Sequence, residues 1–284
     1  MGKALIGIDL GGTKILVGKI EDSKVSETYK CAVPIGGSEE DVLEEITKAI
    51  DVVFNEDIVG IGLGVPSVVD IEKGIVYDVK NIPSWKEVHV KEILEEKYKV
   101  PVYVNNDANC FTVGEKYFGI AQNYKNFVGL IVGTGMAGGV IINDKLYNGF
   151  NCGAGEFGCL PYLDHTYEYY CSGQFFKNIY DTDGYDIYTE AMKGNLLAIE
   201  QYTEFGHHLG KAIQSVLYTM DPEIIILGGS VSKAYDLFGK SMWESLQTFE
   251  YTKTLERLKI EVSNDPQIAL LGAAALYYNA HGRN

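Results

Sequence analysis

The sequence predicts an α/β protein built from two similar halves, with a polar ligand held in the cleft between them. Three observations predict it. Two strand–glycine loop–strand units, over residues 3–20 and 126–142, lie about half a chain apart. Between them an apolar strand, Val100 to Val104, runs into Asn105-Asn106-Asp107-Ala108-Asn109. Strand-length apolar runs and segments of helical periodicity share the chain, as in a sheet covered by helices.

The 284 residues suffice for two domains with cores of their own, and 46% hydrophobic with 22% charged residues is ordinary for a soluble globular protein. A net charge of -15 argues against a nucleic-acid surface and leaves an anionic ligand to local groups. No apolar run reaches the roughly 20 residues of a membrane span. The start of the chain enters a strand at once and lacks a signal-peptide layout. Cys31, Cys110, Cys152, Cys159 and Cys171 form no dense framework, which points to reduced thiols in a cytoplasmic protein.

Residues 3–20 read as a strand, then Asp9-Leu10-Gly11-Gly12-Thr13-Lys14, then a second strand. A P-loop or a dinucleotide fingerprint runs into a helix. Ile15 to Ile20 is β-branched instead, so this is a hairpin whose backbone N–H groups, Thr13 hydroxyl and Lys14 suit phosphate oxygens. Asp9, buried just before the glycines, needs a partner such as hydrated Mg²⁺. Ser38 opens a helix with a capping box, and Val42, Ile46, Ile50 and Val53 recur at helical spacing. Ile58 to Val65 is a strand, residues 70–76 a turn and short strand, and Trp85 a loop anchor. Val90 to Tyr98 is a helix, and Val100 to Val104 a strand ending in one carboxylate and three amides. A helix N-cap needs only one such group; a carboxylate there suits taking a proton from a hydroxyl.

Ala108 to Phe118 continues as helix. Asn126 to Val132 is a strand, Gly133-Thr134-Gly135-Met136-Ala137-Gly138-Gly139 a loop, and Val140 to Ile142 the return strand. Residues 149–176 are the least regular stretch and hold Glu156 and Glu168, each suited to a polyhydroxylated ligand or to solvent. Cys152, Cys159, His165 and Cys171 lack the paired spacing of a structural zinc site. Glu200 to Met220 is a long helix, on which His207 and His208 point in different directions. Glu223 to Leu227 is a buried strand, and Gly228-Gly229-Ser230 leads into a helix where a base or ribose can lie close to backbone. Arg257 to Val262 and Ile268 to Asn279 close the chain as strand and helix.

These motifs resemble those of the ROK family of sugar kinases (repressor, open reading frame, kinase), over nearly the whole chain. Asp9 to Lys14 is similar to the family's first phosphate motif, Gly133-Thr134-Gly135 with Gly138-Gly139 to its second, and Leu227-Gly228-Gly229 to its adenosine motif. Asn106-Asp107-Ala108-Asn109 is similar to the catalytic segment, whose aspartate is the general base. Gly155-Glu156-Phe157-Gly158 resembles the sugar-binding Glu-x-Gly-His motif. Glu168 with Ser172-Gly173 resembles the end of the cysteine-rich segment, where a glutamate contacts sugar. Two departures stand out. Cys159 replaces the usual histidine, and Pro161 to Thr166 replaces the Cys-x-Cys-Gly run, so no structural zinc is expected; Tyr162, Tyr167, Tyr169 and Tyr170 are expected to stiffen the loop instead.

The resemblance implies a two-domain actin-like ATPase (ribonuclease H-like) fold with a cleft between duplicated domains. A small α/β domain over 1–118 would be completed by the C-terminal helix 268–284, and 119–267 would form the large domain. It implies an ATP- and Mg²⁺-dependent kinase. Asp107 would be the base, and Asn106, Asp107, Glu156, Cys159 and Glu168 would bind sugar. Asp9, Gly11, Gly12, Thr13, Lys14, Gly133, Thr134, Gly135, Gly228 and Gly229 would hold the nucleotide, Asp9 meeting Mg²⁺ through water. Glucose, phosphorylated at C6, is the leading substrate; N-acetylmannosamine, fructose and mannose are alternatives, and a non-catalytic sugar sensor is the different class. A cytoplasmic homodimer of glycolytic carbohydrate metabolism, without nucleic-acid or membrane partners, is expected. The repressor members' helix-turn-helix is not, because the first motif begins by residue 9.

Overall fold

Strand β1 (Ala4–Leu10) starts a meander with β2 (Lys14–Glu21) and β3 (Lys24–Ala32) in the computed structural model, which describes residues 3–282. Helix α1 (Glu39–Val53) follows, opened by a reciprocal box: Asp41 N–H donates to Ser38 Oγ at 3.2 Å and Ser38 N–H to Asp41 Oδ2 at 2.7 Å. Its buried stripe, Val42, Ile46, Ala49, Ile50 and Val53, joins the core of the first sheet. Strand β4 (Ile58–Val65) pairs parallel with β1. A small antiparallel sheet of β5 (Val68–Asp70), β6 (Ile75–Tyr77) and β7 (Glu87–Val88) comes next, and Trp85, fully buried, anchors its loop. Helix α2 (Val90–Tyr98) leads to β8 (Val102–Asn106), parallel to β4, and to helix α3 (Asp107–Tyr117).

The second series starts with β9 (Phe127–Val132), β10 (Met136–Ile142) and β11 (Lys145–Leu146). After a two-strand ribbon, β12 (Pro161–Tyr162) and β13 (His165–Thr166), come four helices: α4 (Tyr167–Cys171), α5 (Gln174–Tyr180), α6 (Gly184–Met192) and α7 (Leu196–Met220). Strand β14 (Ile224–Gly228), helices α8 (Tyr235–Leu246) and α9 (Thr252–Arg257), strand β15 (Lys259–Val262) and helix α10 (Ile268–His281) complete the chain. Among the described residues no helix is long and apolar enough to cross a membrane.

The two sheets share one plan. Their orders are β3-β2-β1-β4-β8 and β11-β10-β9-β14-β15. In each, an outer hairpin precedes three parallel strands, β1, β4 and β8 or β9, β14 and β15. The chain divides into one unit of Met1–Asn123, Gly139–Ala154 and Asp265–Asn284 and another of Tyr124–Gly138 and Gly155–Asn264. Gly139–Ala154 therefore packs with the first unit, whereas the sequence reading places it in the 119–267 domain. The second glycine loop is also shorter than expected. Strand β10 starts at Met136, and Gly138 lies inside it, where a Cβ would stand 3.0 Å from the Phe157 ring. In the first unit, the buried Gly272-Ala273-Ala274-Ala275 stretch of α10 lies against α3 at Gly272 and against β1 and β4 at Ala273 and Ala274.

Candidate active site

The parallel strands of the first sheet end together. Asp9 of β1 is level with Gly64 of β4, Gly64 with Asn105 of β8, and Val65 with Asn106. Asp9 and Asn105 are thus two strand spacings apart, roughly 10 Å, at the carboxyl end of the sheet, where open α/β sheets take ligands. Asn106 is the N-cap of α3: its Oδ1 accepts the Ala108 N–H at 2.8 Å, and its Nδ2 donates to Ser67 O at 3.4 Å. Asp107, half-buried, is the first residue of α3, and its Oδ1 also accepts the Ala108 N–H at 2.8 Å. A carboxylate is favoured there by the helix dipole.

The other two amides do not face a ligand. Asn105 and Asn109 are buried and brace the strand end. Asn105 Oδ1 accepts from Asn109 Nδ2 at 2.8 Å and from the Cys152 thiol at 3.3 Å, while Asn105 Nδ2 donates to Asn148 Oδ1 at 3.0 Å. This brace fixes the loop 148–152 to the base of Asp107, a link invisible in a sequence where the partners stand over 40 residues apart. Burial, and then the charges of Asp107 and Asp9, push the Cys110 thiol well up. Asp9 itself is half-buried, and desolvation pushes its carboxyl up. No basic side chain pairs with it among the described residues, so the donor set suits a cation that arrives with the phosphates, such as Mg²⁺.

Both glycine hairpins turn in three residues. In the first, Gly11 N–H donates to Lys14 O at 2.9 Å and Val33 N–H to Thr13 O at 3.0 Å. In the second, Gly133 N–H donates to Gly135 O at 2.9 Å. Among the described residues no acceptor takes the N–H groups of Gly12 and Thr13, nor those of Thr134 and Gly135. Paired free amides of this kind bind anions. Lys14 and Thr13 are exposed beside the first pair. Gly133 has only Ser230 within 4 Å of where a Cβ would be, 3.8 Å from its N and Oγ, so the second glycine turn adjoins the turn after β14. Gly228 ends β14 level with Ile131, and Gly229 has φ +88° with its carbonyl held by Ser232 Oγ at 2.8 Å.

The remaining predicted residues gather around Met136. Glu156 and Cys159 are exposed on a single turn, with the Cys159 thiol 3.8 Å from Glu156 Oε2. Glu168, half-buried on α4, accepts the Met136 N–H on Oε2 at 3.0 Å. The aromatic loop is tightly stacked: Tyr162 lies on Tyr167 at 4.5 Å, His165 on Tyr169 at 3.9 Å, and Tyr162 shares a hydrogen bond with His208 Nδ1 at 3.0 Å. Burial pushes the Tyr162 hydroxyl up to about 12 and the Cys171 thiol well up. His207 is exposed while His208 is half-buried. Among the described residues no three His, Cys, Asp or Glu side chains converge to hold a metal ion. The sequence reading did not single out Gln174, whose Nε2 donates to Thr134 O at 3.0 Å.

Comparison with known proteins bears on the whole chain. A glucokinase from Thermotoga maritima is 29% identical, covering 96% of this chain and 96% of its own. A xylose repressor from Bacillus subtilis is 29% identical over 69% of this chain and 54% of its own. The crystal structure of a ROK family glucokinase from Streptomyces griseus in complex with glucose and AMPPNP superposes with a TM-score of 0.80 at 25% identity, covering 96% of this chain and 98% of that one. The paired five-stranded sheets are those of the actin-like ATPase fold. Because the ROK family model matches residues 5–280, nearly the whole length, the chain belongs to the ROK family.

Proposed function

We propose that the chain is an ATP- and Mg²⁺-dependent hexose kinase that phosphorylates the C6 hydroxyl, with glucose the foremost substrate. The observation that carries the reading is the strand end of the first unit, where Asp107 opens α3 beside the capping Asn106 and Asp9 stands two strands away. The glucokinases among its relatives support the substrate class. Asp107 takes the proton of the attacking hydroxyl while the O–P bond forms and ADP departs. Asn106, Glu156, Cys159 and Glu168 hold the sugar's other hydroxyls. The free amides of Gly12, Thr13, Thr134 and Gly135, with Lys14, take the donor's phosphates, and Gly228 and Gly229 lie against its nucleoside. Asp9 is the residue that would hold Mg²⁺ through water, and the ion would supply charge neutralisation on those phosphates. For a chain of net charge -15, these local donors must supply the attraction that the overall field does not. Most of the rate enhancement then comes from positioning and charge neutralisation.

The test is ADP release with Mg-ATP over glucose, mannose, fructose, allose, glucosamine, N-acetylglucosamine and N-acetylmannosamine, followed by phosphorus NMR of the product. Phosphate on C6 couples to two methylene protons; coupling to a single ring proton would overturn the C6 assignment. Sugar binding without ADP release from any member of the panel would support a sugar sensor instead.

A further inference from the structure

The free amides of the second hairpin owe their aim to a segment outside the hairpin. Gly173 N–H donates to Gly133 O at 2.7 Å, and Gln174 Nε2 donates to Thr134 O at 3.0 Å. A trans peptide sets each N–H opposite its own carbonyl. Holding the carbonyls of Gly133 and Thr134 therefore directs the N–H groups of Thr134 and Gly135 away from the segment. The holder is itself fixed. Ser172 is fully buried and its Oγ accepts the Gln174 N–H at 3.2 Å. A Cβ on Gly173 would stand 3.0 Å from Gly133 O, closer than nearly all real contacts, so glycine lets the segment reach the turn. At the other end Glu168 Oε2 accepts the Met136 N–H at 3.0 Å. Three successive backbone groups of the turn are thus tied to residues 168–174.

We propose that residues 168–174 form a strap in which Gln174 positions the donor's phosphate-binding amides and Glu168 couples that turn to the sugar. The inference rests on the kinase reading and adds a linkage to it. The turn uses one Glu168 oxygen, Oε2; Oε1 carries no bond among the described residues and is left for a sugar hydroxyl. A carboxylate accepts at both oxygens together. Sugar on Oε1 and an ordered turn on Oε2 therefore select the same Glu168 rotamer, and each lowers the ordering cost of the other. Sugar tightens donor binding, and by reciprocity donor tightens sugar by the same factor.

The test is calorimetric titration of Mg-AMP-PNP into the full-length protein, with and without a saturating amount of the sugar that the ADP-release panel selects. The Gln174→Ala variant is expected to bind AMP-PNP about 3- to 10-fold more weakly, the size of one hydrogen bond. Sugar titrated alone should bind it as it binds the wild type, and the KM for ATP should rise while kcat holds. In Glu168→Ala, saturating sugar should no longer change AMP-PNP affinity. Wild-type AMP-PNP affinity in Gln174→Ala, or intact coupling in Glu168→Ala, overturns the strap while leaving the kinase reading standing. A wild type that binds no AMP-PNP overturns both.

Discussion

The two glycine hairpins present the same chemistry and are held in opposite ways. Each turns in three residues and leaves two consecutive amides free. The first is held by its own sheet: Thr13 O is bonded by Val33 N–H, just beyond β3, and the side chain of Asn81 backs Gly12, 2.7 Å from where its Cβ would be. The second is held by the strap, through Gly173, Gln174 and Glu168. Two turns with the same free amides can therefore be held by different supports that tie back their carbonyls. What the support decides is which other event the turn can sense. The first turn follows the sheet, whereas the second shares Glu168 with the residues assigned to the sugar.

The largest expected effect lies outside both turns and calibrates them. Asp107→Ala should lower kcat by at least about 100-fold with the fold retained, the scale for loss of a general base. Circular dichroism and ADP release read this out; near-normal turnover would remove Asp107 from its role. A matched pair of glycine substitutions then separates the turns. In Gly135→Ala the new Cβ falls 2.6 Å from Glu168 Oε2, so the carboxylate must move, and the KM values for ATP and for sugar should both rise, by roughly tenfold for a charge-assisted bond. In Gly11→Ala the nearest atom, Lys14 O, is 3.4 Å away, and only the KM for ATP should rise. If both variants shift the same constants, the contrast between the hairpins has no functional content.

A smaller effect concerns stability. The Asp9 carboxyl is pushed above its ordinary value of 3.8 by desolvation, so its protonated form is the one that folding favours. That contribution is complete below 3.8 and is lost as pH rises through the raised value, so at neutral pH the ionised group costs stability in the ligand-free protein. Asp9→Asn should therefore raise the neutral-pH melting temperature while weakening Mg-ATP binding; an unchanged or lowered melting temperature would contradict the desolvated carboxylate. The smallest effect is at His208, which burial holds below its ordinary 6.5. The stability it contributes is present above 6.5 and lost as pH falls through the lowered value, so His208→Phe should flatten the acid side of the melting-temperature profile. An acid limb as steep as the wild type's would exclude His208 as its cause.

Local signals account for what was legible in the sequence. The capping box at Ser38, the helix Val90–Tyr98 and the carboxylate after β8 each depend on neighbours within a few residues, and all three stand in the structure. The buried Trp85 likewise follows from one large aromatic between turn residues. Features set by distant packing were not legible. Gly138 reads as loop, yet it lies inside β10, where a Cβ would stand 3.0 Å from the ring of Phe157, distant in sequence, a closeness that only the folded chain shows. The three amides around Asp107 read alike, but Asn105 and Asn109 are turned inward by Cys152 and Asn148. Gln174 carries no motif at all; only the approach of α5 to the turn makes it part of the site.

The most direct test of the central claim is ADP release from wild type and Asp107→Ala side by side, with Mg-ATP and each sugar of the panel. The account predicts that one sugar raises ADP release well above background in the wild type and that this increment falls by at least about 100-fold in the variant. Equal sugar-dependent release from the two proteins would contradict it.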